Sequence, residues 1–313
     1  MDFRQLVYIC TVAEHKNITK AANALYISQP SLSHFIAKAE DELGVKLFDR
    51  STTPLSLTYA GEHYVDYAQQ ILMIHDKMIK EFRDISNKMK GRLRVGAPRE
   101  RAAYMMPLIL PVFKARFPGI DVQLVTSSGK DLMALLERGH LDFVILPRQI
   151  HEKAFVMRKI YEEELLLVAA KGVIGPERML KDAPNTVDLR KLGDLPFILL
   201  QENHAIRGAV ELLFKSYRIK PRVVLENNSN ITSSRLAAAG MGVAIVPGMT
   251  VKLTSIDPPP AIFSLANPPI TWEVNAVYRQ DAYLGVVENA FFEIASAVFE
   301  QGKPLPDGPA WAE

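Results

Sequence analysis

A cluster of polar side chains near the N-terminus has the types and spacing needed to read the edges of DNA bases. A glutamine can pair bidentately with adenine, and a serine hydroxyl can donate to a base or accept from it. The cluster follows a residue suited to cap a helix, so the N–H groups of the first turn could also hold a phosphate. Its outward-facing members are Gln29, Ser31, Ser33, His34 and Lys38. The alternative interpretation is the solvated helix face of a protein-interaction bundle.

Two predicted helices precede this cluster. The first begins after Asp2, which is spaced to form a capping pair with Gln5, and carries apolar residues at helical spacing. Cys10 falls on its buried side, where a small core residue is a better interpretation than a redox thiol. The second helix is short, with Thr19 as its predicted N-cap, and it ends at Tyr26.

The third predicted helix carries the polar cluster. Ser28 caps it, Pro30 is tolerated in its first turn because N–H groups there have no intrahelical partner, and Gly44 ends it. Two short helices joined by a tight turn form a helix-turn-helix. The predicted inward stripe of the third helix consists of Leu32, Ile36, Ala39 and Leu43.

A two-stranded wing is predicted after this helix. Residues 45–50 and 55–58 are short alternating segments on either side of a Ser/Thr/Pro turn. Arg50, at the base of the wing, is placed to meet a phosphate or a minor groove. Residues 1–60 contain six basic and six acidic side chains. Because this region is locally neutral, DNA binding would depend on dimeric contacts and geometry more than on bulk charge.

A long helix is predicted from Tyr59 to about Met89. It has a heptad-like apolar seam, and a helix with such a stripe needs a partner in water. The simplest partner is its own copy, in a parallel or antiparallel dimer; the alternative is packing against the C-terminal part of the same chain. Gly91 is predicted to be a hinge after it. The seam consists of Tyr64, Tyr67, Ile71, Ile74, Met78, Phe82, Ile85 and Met89.

From Arg92 onward, predicted strands alternate with predicted helices, which indicates a largely parallel sheet with helices on its faces. One early helix is predicted to begin at Met105, a strand at Glu164 and the last helix at Ala282. The rhythm occurs twice and predicts two α/β lobes with a cleft between them. The Pro/Gly-rich tail, residues 302–313, is predicted to be flexible.

In α/β sheets, ligands bind beyond the carboxyl ends of the strands. Here those ends carry residues 98–101, 126–128, 147–148, 201–204 and 247–248. Serine and threonine hydroxyls together with helix N-termini suit an anion such as a carboxylate, and an arginine could pair with it. The alternatives for each residue are a helix cap or a solvated surface group, and the Arg-Glu-Arg run could be a surface ion pair.

Composition and motif searches narrow the function classes. The net charge is only +2, with 48% hydrophobic and 23% charged residues, as in an ordinary folded protein. The histidines show no metal-ligand spacing, and no nucleophile elbow occurs, so neither an enzyme nor a cofactor is expected. We find no signal peptide and no apolar run long enough to span a membrane, which predicts a cytoplasmic protein with no membrane partner.

Three blocks of the N-terminal region resemble the LysR-type transcriptional regulators. They are Leu25 to Ser33, Glu42 to Arg50 and Leu57 to Gly61. The resemblance implies that Gln29, Pro30, Ser33 and position 34 contact DNA, with Arg50 on the wing. The chain departs from the family at His34 and Phe35, where arginine and a second polar residue are common; Phe35 is expected to pack on the helical bundle instead.

The C-terminal region also resembles this family, whose effector domain has the periplasmic-binding-protein type 2 fold. The matching blocks are residues 91–96, 113–118, 141–143 and 238–247. By the family's pattern, the strand ends at residues 98–101, 126–128 and 201–204 line an effector cleft. The family more often has a small hydroxyl residue near position 99. The implied effector residues are Arg99, Glu100, Arg101, Thr126, Ser127, Ser128, Gln201, Asn203 and His204.

The complete prediction is a regulator with an N-terminal all-α winged helix-turn-helix in residues 1–60. A dimerisation helix follows in 61–90, a two-lobed α/β effector domain in 91–301 and a flexible tail in 302–313. The partners expected are double-stranded DNA, a small-molecule effector, further copies in a homodimer or homotetramer, and RNA polymerase. Two alternatives stay open: a DNA-binding regulator that needs no effector, and a cytoplasmic solute-binding or interaction protein. A solute-binding protein with no DNA role should have a signal peptide and lack a helix-turn-helix, and the sequence indicates the opposite on both counts.

Overall fold

The computed structural model describes residues 2–86, 89–147, 152–202, 204–253 and 255–300. The chain divides into two compact units, with the boundary between residues 88 and 89. Arg148, Asn203 and the tail of residues 302–313, which the predictions above include, lie outside the described residues.

The first unit is helical, with one small hairpin. Its core joins three short helices to the hairpin and to the start of a long helix, through residues that include Ile9, Ala22, Leu32, Phe48 and Val65. The elements are α1 (Phe3–His15), α2 (Ile18–Ala24), α3 (Gln29–Leu43), β1 (Phe48–Asp49), β2 (Ser56–Leu57) and α4 (Tyr59–Ile85).

Local capping chemistry accounts for most of these boundaries. Asp2 and Gln5 form the predicted capping box at the start of α1, and Gly44 ends α3 in the left-handed conformation with φ 71°. The N-cap of α2 is Asn17 and not the predicted Thr19, because the Asn17 side chain accepts from the N–H of Lys20 at 2.9 Å.

The prediction for Leu43 was also wrong. This residue ends α3 and is 47% exposed, because the chain turns away from the core at Gly44. The other three residues of the predicted stripe, Leu32, Ile36 and Ala39, are buried.

The second unit is an α/β structure whose described residues form two large hydrophobic cores and two smaller clusters. Leu93, Phe143 and Phe291 belong to the first core, and Phe197 and Ile245 belong to the second. Its strands are β3 (Gly91–Ala97), β4 (Ile120–Thr126), β5 (Phe143–Leu146), β6 (Phe155–Ala169), β7 (Pro196–Leu200), β8 (Arg222–Asn227), β9 (Ala244–Pro247), β10 (Ala261–Ser264) and β11 (Thr271–Arg279). Its helices are α5 (Arg99–Arg116), α6 (Gly129–Glu137), α7 (Ala205–Ser216), α8 (Asn230–Ala238), α9 (Gly248–Leu253) and α10 (Val286–Phe299).

The main sheet is mixed, so the prediction of a largely parallel sheet was only partly right. β3 pairs in parallel with β4 and β5, and outside the main sheet β7 pairs in parallel with β8 in a two-stranded sheet. In contrast, β6 pairs antiparallel with β9, β10 and β11. The chain returns from the second lobe along β11, beside the long β6, and this return makes the pairing of β11 with β6 antiparallel.

Strand β6 connects the two lobes. Ile160 and Tyr161 contribute to the first core, whereas Leu165 and Leu167 contribute to the second. The strand begins at Phe155, well before the predicted Glu164, because its first half pairs with β11. Residues 162–164 therefore lie where the chain passes from one lobe to the other.

Two further helix starts differ from the predictions. α5 begins at Arg99 rather than Met105, so residues 99–101 form its first turn and are not a loop. α10 begins at Val286 rather than Ala282, because the Glu288 carboxylate accepts from the N–H of Gly285 and caps the helix there.

Candidate DNA-binding surface and ligand cleft

The first turns of α3 present the predicted polar cluster at the surface. Gln29, Ser31, His34 and Lys38 are exposed, and Ser33 is half-buried. The Gln29 amide donates to the Ser33 hydroxyl at 2.9 Å, which holds the two side chains on one face of the helix. These groups can form hydrogen bonds with base edges in a major groove.

The N-terminus of α3 is shaped by Ser28 and Pro30. The Ser28 hydroxyl accepts from the N–H of Ser31 and lies 2.7 Å from the Ser31 hydroxyl. Pro30 is exposed in the first turn, where it costs no helical hydrogen bond. Since α3 begins with a positive end and small side chains, a phosphate could approach it closely.

Phe35 has a structural role. Its ring packs edge-on against that of Tyr8 on α1, with centroids 5.1 Å apart. The expectation that this residue packs on the bundle is therefore confirmed, and its side chain ties α3 to α1.

A buried carboxylate that sequence reasoning missed joins α3 to the wing. Glu40 is 1% exposed, and its Oε1 accepts from the N–H groups of Leu47 at 2.9 Å and Phe48 at 3.3 Å. Its Oε2 lies 3.1 Å from the Lys46 ammonium and 3.7 Å from the Arg50 guanidinium. The signal was available, because Glu40 stands one helical turn after Ile36 on the buried side of α3.

The surroundings of Glu40 keep it ionised. Burial by itself raises the pKa of this carboxyl, but the hydrogen bonds from the Leu47 amide, the Lys46 ammonium and the Phe48 amide outweigh burial. The net result is a pKa below the ordinary value of 4.5. Arg50, whose side chain is half-exposed, is thus held at the base of the wing while its outer face stays open to solvent.

The start of α4 is seated against the wing. The Thr58 hydroxyl donates to the carbonyl of Lys46 at 2.6 Å and accepts from the N–H of Gly61 at 3.0 Å. A β-carbon at Gly61 would overlap the carbonyl oxygen of Leu47, so only glycine permits this approach. Farther along α4, His75 contacts the ring of Phe3 on α1, with centroids 4.8 Å apart.

Much of the predicted α4 seam is exposed. Met89, the last predicted member, is not in the helix, which ends at Ile85; it packs against the first core of the second unit instead. The exposed fractions reach 67% at Ile74 and 76% at Ile85. The exposed members of the predicted seam are Tyr67, Ile74, Met78, Phe82 and Ile85.

The first turn of α5 points its three charged side chains to different places. Arg99 is exposed at one end of a groove of about 630 Å³ between α5 and β4, which Thr126 also lines. Glu100 reaches α8 of the other lobe, where its carboxylate accepts from the hydroxyl of Ser229 at 2.7 Å and the side-chain amide of Asn230 at 2.9 Å.

Arg101 is 2% exposed, so its guanidinium belongs to the interior rather than to an open cleft. It donates to the Tyr161 hydroxyl at 2.7 Å and forms an ion pair with Glu163, in the part of β6 that passes between the lobes. The Glu163 carboxylate also accepts from the Trp272 indole at 2.9 Å and from the N–H of Met249 at 3.2 Å. One buried carboxylate therefore joins α5, β11 and the start of α9.

The serines after β4 serve the fold. The Ser128 hydroxyl caps α6, and the hydroxyls of Ser127 and Ser128 both donate to the Asp131 carboxylate, at 3.0 and 2.7 Å. The hydrogen bond from Ser128 is the main reason why the pKa of Asp131 lies below its usual range. Any ligand reaching these hydroxyls would compete with Asp131.

The second-lobe side of the cleft is formed where β7 and β8 end. The N–H of Gln201 donates to the carbonyl of Asn227 at 2.8 Å, and the Asn227 side chain accepts from the N–H of Ser229. His204 caps α7 by position, with its N–H bonded to the Gln201 carbonyl at 3.0 Å. Gln201 thus lies on the same rim as the Ser229 that Glu100 contacts. Sequence reasoning missed Asn227, Ser229 and Asn230, although an Asn/Ser run between a strand and a helix is a capping signal.

Among the described residues, no group of three or more His, Cys, Asp or Glu side chains could hold a metal ion. Within that same part of the chain, none of the helices has the length and apolar character that crossing a membrane requires.

A winged helix-turn-helix, a long helix with an exposed apolar seam and a two-lobed α/β domain define a class of proteins, the DNA-binding transcription regulators. Residues 3–62 match the family described as "Bacterial regulatory helix-turn-helix protein, lysR family", and residues 86–300 match "LysR substrate binding domain". The chain belongs to the LysR family of transcription regulators, which are not enzymes, and its second unit has the fold of the periplasmic binding proteins of type 2.

Individual relatives agree with this assignment. The chain is 28% identical to the uncharacterised transcriptional regulator YcgK of Bacillus subtilis, over 96% of each protein. It is 30% identical to the DNA-binding transcriptional dual regulator OxyR of Escherichia coli, over 80% of each. A solved full-length OxyR variant from Pseudomonas aeruginosa has a similar fold, with a TM-score of 0.73, 24% identity and coverage of 95% of this chain and 94% of that one.

A similar structure has been solved with DNA bound. It is the LysR-family regulator CbnR in complex with its target DNA, with a TM-score of 0.62 and 24% identity, covering 93% of this chain and 97% of that one.

Proposed function

We propose that this protein is a sequence-specific DNA-binding regulator controlled by a small carboxylate that binds between the two lobes. The observation that carries the effector part is the contact of Glu100 with α8. There a hydroxyl, a side-chain amide and the backbone N–H of Ile231 already surround a carboxylate. Donors of this kind recognise a carboxylate from any source.

The DNA contacts would come from α3 and the wing. Gln29 and Ser33 read bases, while Pro30, Ser31 and His34 lie against the duplex at the same helix end. Lys38 and Arg50 contact phosphates. The exposure of the α3 side chains and the hydrogen bond between Gln29 and Ser33 support this assignment.

A homodimer would form on the seam of α4, because several large apolar side chains are exposed there on one helix. The α/β domains would pair a second time to make a homotetramer that spans two DNA half-sites. Exposed apolar residues support a second interface, with Leu108 and Leu124 on the first lobe and Leu212, Val223 and Val224 on the second. Contact with RNA polymerase would follow once the effector changes the spacing of the DNA-binding domains in the oligomer.

A peroxide signal is the second candidate, since some relatives are named hydrogen peroxide-inducible genes activators. The chain has one cysteine, Cys10, and none in its second unit. Burial, with a smaller contribution from Glu14, raises the pKa of the Cys10 thiol to about 11. A thiol of this kind reacts slowly with oxidants, because the thiolate is the reactive form. These facts favour a bound effector over thiol oxidation.

Footprinting on the DNA upstream of the protein's own gene tests the regulator proposal, with gel retardation over a salt series. Protection of two half-sites, weakening as salt rises, is expected. A thermal-shift screen of small acids and aromatics tests the effector proposal on the same protein. If no DNA is protected, the regulator proposal fails; if acids shift the melting temperature but leave DNA bending and transcription unchanged, the coupling between the sites fails.

A further inference from the structure

Glu100 links the two lobes by reaching from one to the other. It stands in the first turn of α5, whose buried face packs in the first core through Met105 and Ile109. Its partners lie at the start of α8, which packs through Ala237 in a core with Val246 of the second lobe. The Glu100 carboxylate accepts from the Ser229 hydroxyl, the Asn230 side-chain amide and, at 3.4 Å, the N–H of Ile231.

The N-terminal half of α8 has buried polar atoms that lack hydrogen-bond partners within the ranges that the structure describes. Asn230 is 8% exposed, and its Oδ1 has no hydrogen-bond partner among the described residues. Ser234, one turn further along the same side of α8, is fully buried, and in the described part of the chain its hydroxyl also lacks one. Buried polar atoms normally have partners, so these two oxygens mark hydrogen-bonding capacity at the N-terminus of α8 that Glu100 does not use.

We propose that Glu100 is an internal carboxylate that holds the lobes together by occupying the N-terminus of α8, and that a carboxylate effector acts by displacing it. The second half rests on the proposed function. An effector carboxylate can take the same three donors, but it is not attached to α5. Displacement therefore exchanges a bond between the lobes for a bond within one lobe, and it frees α5 to move relative to α8.

The test measures the distance between the lobes in the full-length protein without DNA. Spin labels at Lys130→Cys on α6 and Lys215→Cys on α7, in a Cys10→Ala background, report that distance by pulsed electron resonance. Glu100→Ala is expected to raise the population with separated lobes by about tenfold, since three hydrogen bonds to a charged group are lost. Glu137→Gln, which changes an exposed glutamate on α6, is the matched control and should leave the distances unchanged.

Acetate provides the chemical complement. In Glu100→Ala, added acetate should bind at the vacated N-terminus of α8 and raise the melting temperature, with little effect on the intact protein at the same concentration. Adding Ser229→Ala should reduce that effect. Glu100→Gln, which keeps the shape of the side chain but removes its charge, serves if the alanine variant folds poorly; it should also separate the lobes.

Unchanged lobe distances in both Glu100 variants would overturn the proposal that Glu100 holds the lobes together. Equal stabilisation of the intact protein and Glu100→Ala by acetate would overturn the competition between Glu100 and an effector. Neither result depends on DNA. Gel retardation with the intact protein therefore separates the two ideas, because its failure to bind DNA would count against the proposed function and leave the link between the lobes standing.

Discussion

The Glu40 carboxylate on α3 lies 3.7 Å from the Arg50 guanidinium at the base of the wing. The same carboxylate holds the amides of Leu47 and Phe48. The helix proposed to read bases and the arginine proposed to contact phosphate are thus positioned by one buried group. This arrangement makes the shape of the DNA-binding head, which consists of α1 to α3 and the wing, sensitive to a residue that need not touch DNA.

Glu40→Ala is expected to destabilise the first unit by about 1–3 kcal/mol, because two backbone amides lose their acceptor in a buried place. DNA binding should weaken as the wing loosens. The matched control is Asp41→Ala: Asp41 is 79% exposed and 3.9 Å from Lys46, and surface pairs of this kind contribute little. Urea unfolding monitored by circular dichroism gives both values; equal effects of the two variants would contradict the anchoring role.

Acid should release the same anchor. The pKa of Glu40 is depressed in the folded protein, so its contribution is complete above the ordinary value of 4.5 and is lost as pH falls through the lower folded value. Amide hydrogen exchange at Leu47 and Phe48, corrected for intrinsic rates, should show protection that falls below pH 4.5. In Glu40→Gln this pH dependence should be absent. Its persistence there would assign it to another group.

Gln29→Ala and Lys38→Ala should fail in different ways. A glutamine bonded bidentately to adenine contributes about 1–3 kcal/mol of discrimination, so Gln29→Ala should relax sequence preference at one position. Lys38→Ala should weaken binding to all sequences alike and reduce the slope of log K against log salt by about 1. Competition gel shifts over a salt series distinguish these results. A uniform loss in Gln29→Ala would mean that Gln29 does not read a base.

Charge placed on the exposed seam of α4 should separate the protomers. Phe82→Asp adds a carboxylate to the proposed dimer interface, where an unpaired charge is strongly unfavourable, so a smaller species is expected in sedimentation velocity runs. Lys77→Ala, an exposed change on the same helix, is the control. DNA affinity should fall with the loss of the dimer. If Phe82→Asp keeps the mass of the parent protein, the dimer is built elsewhere.

Two neighbouring glutamates on β6 should behave very differently. Glu163→Ala leaves the buried guanidinium of Arg101 without its counter-charge, which typically costs about 3–5 kcal/mol. Glu162→Ala removes only the pair with Lys159, in which both side chains are nearly half exposed, and it should cost less than about 1 kcal/mol. Calorimetry of the full chain provides the comparison; a mild Glu163→Ala phenotype would show that the lobes do not depend on this ion pair.

The helical head was largely predictable because its signals are local. Asp2 with Gln5, Ser28 with Pro30, and Gly44 each specify a helix end within a few residues of sequence. The Thr19 prediction failed at the same level, since Asn17 offers the same chemistry two residues earlier. Glu40 was missed because the N–H groups that donate to it belong to Leu47 and Phe48, which follow the end of the helix.

The cleft was less predictable because distant segments form it. Nothing in the sequence near Arg101 indicates that its counter-charge is Glu163, or that Glu100 turns instead to α8. The predicted start of α5, at Met105, is too late for a related reason. Three consecutive charged residues at 99–101 are typical of a loop, and their partners lie far away in the sequence. The antiparallel return of β11 along β6 likewise depends on the whole topology.

Gly61 approaches the Leu47 carbonyl so closely that a β-carbon would not fit between α4 and the wing. Within the first unit, the start of α4 is therefore fixed against the wing. In a dimer joined through α4, the angle at which the two helices cross would set the separation of the two α3 helices directly. Two half-sites one helical turn apart are separated by about 34 Å. A small rotation at the seam would then be enough to change which spacing of DNA sites the protein accepts.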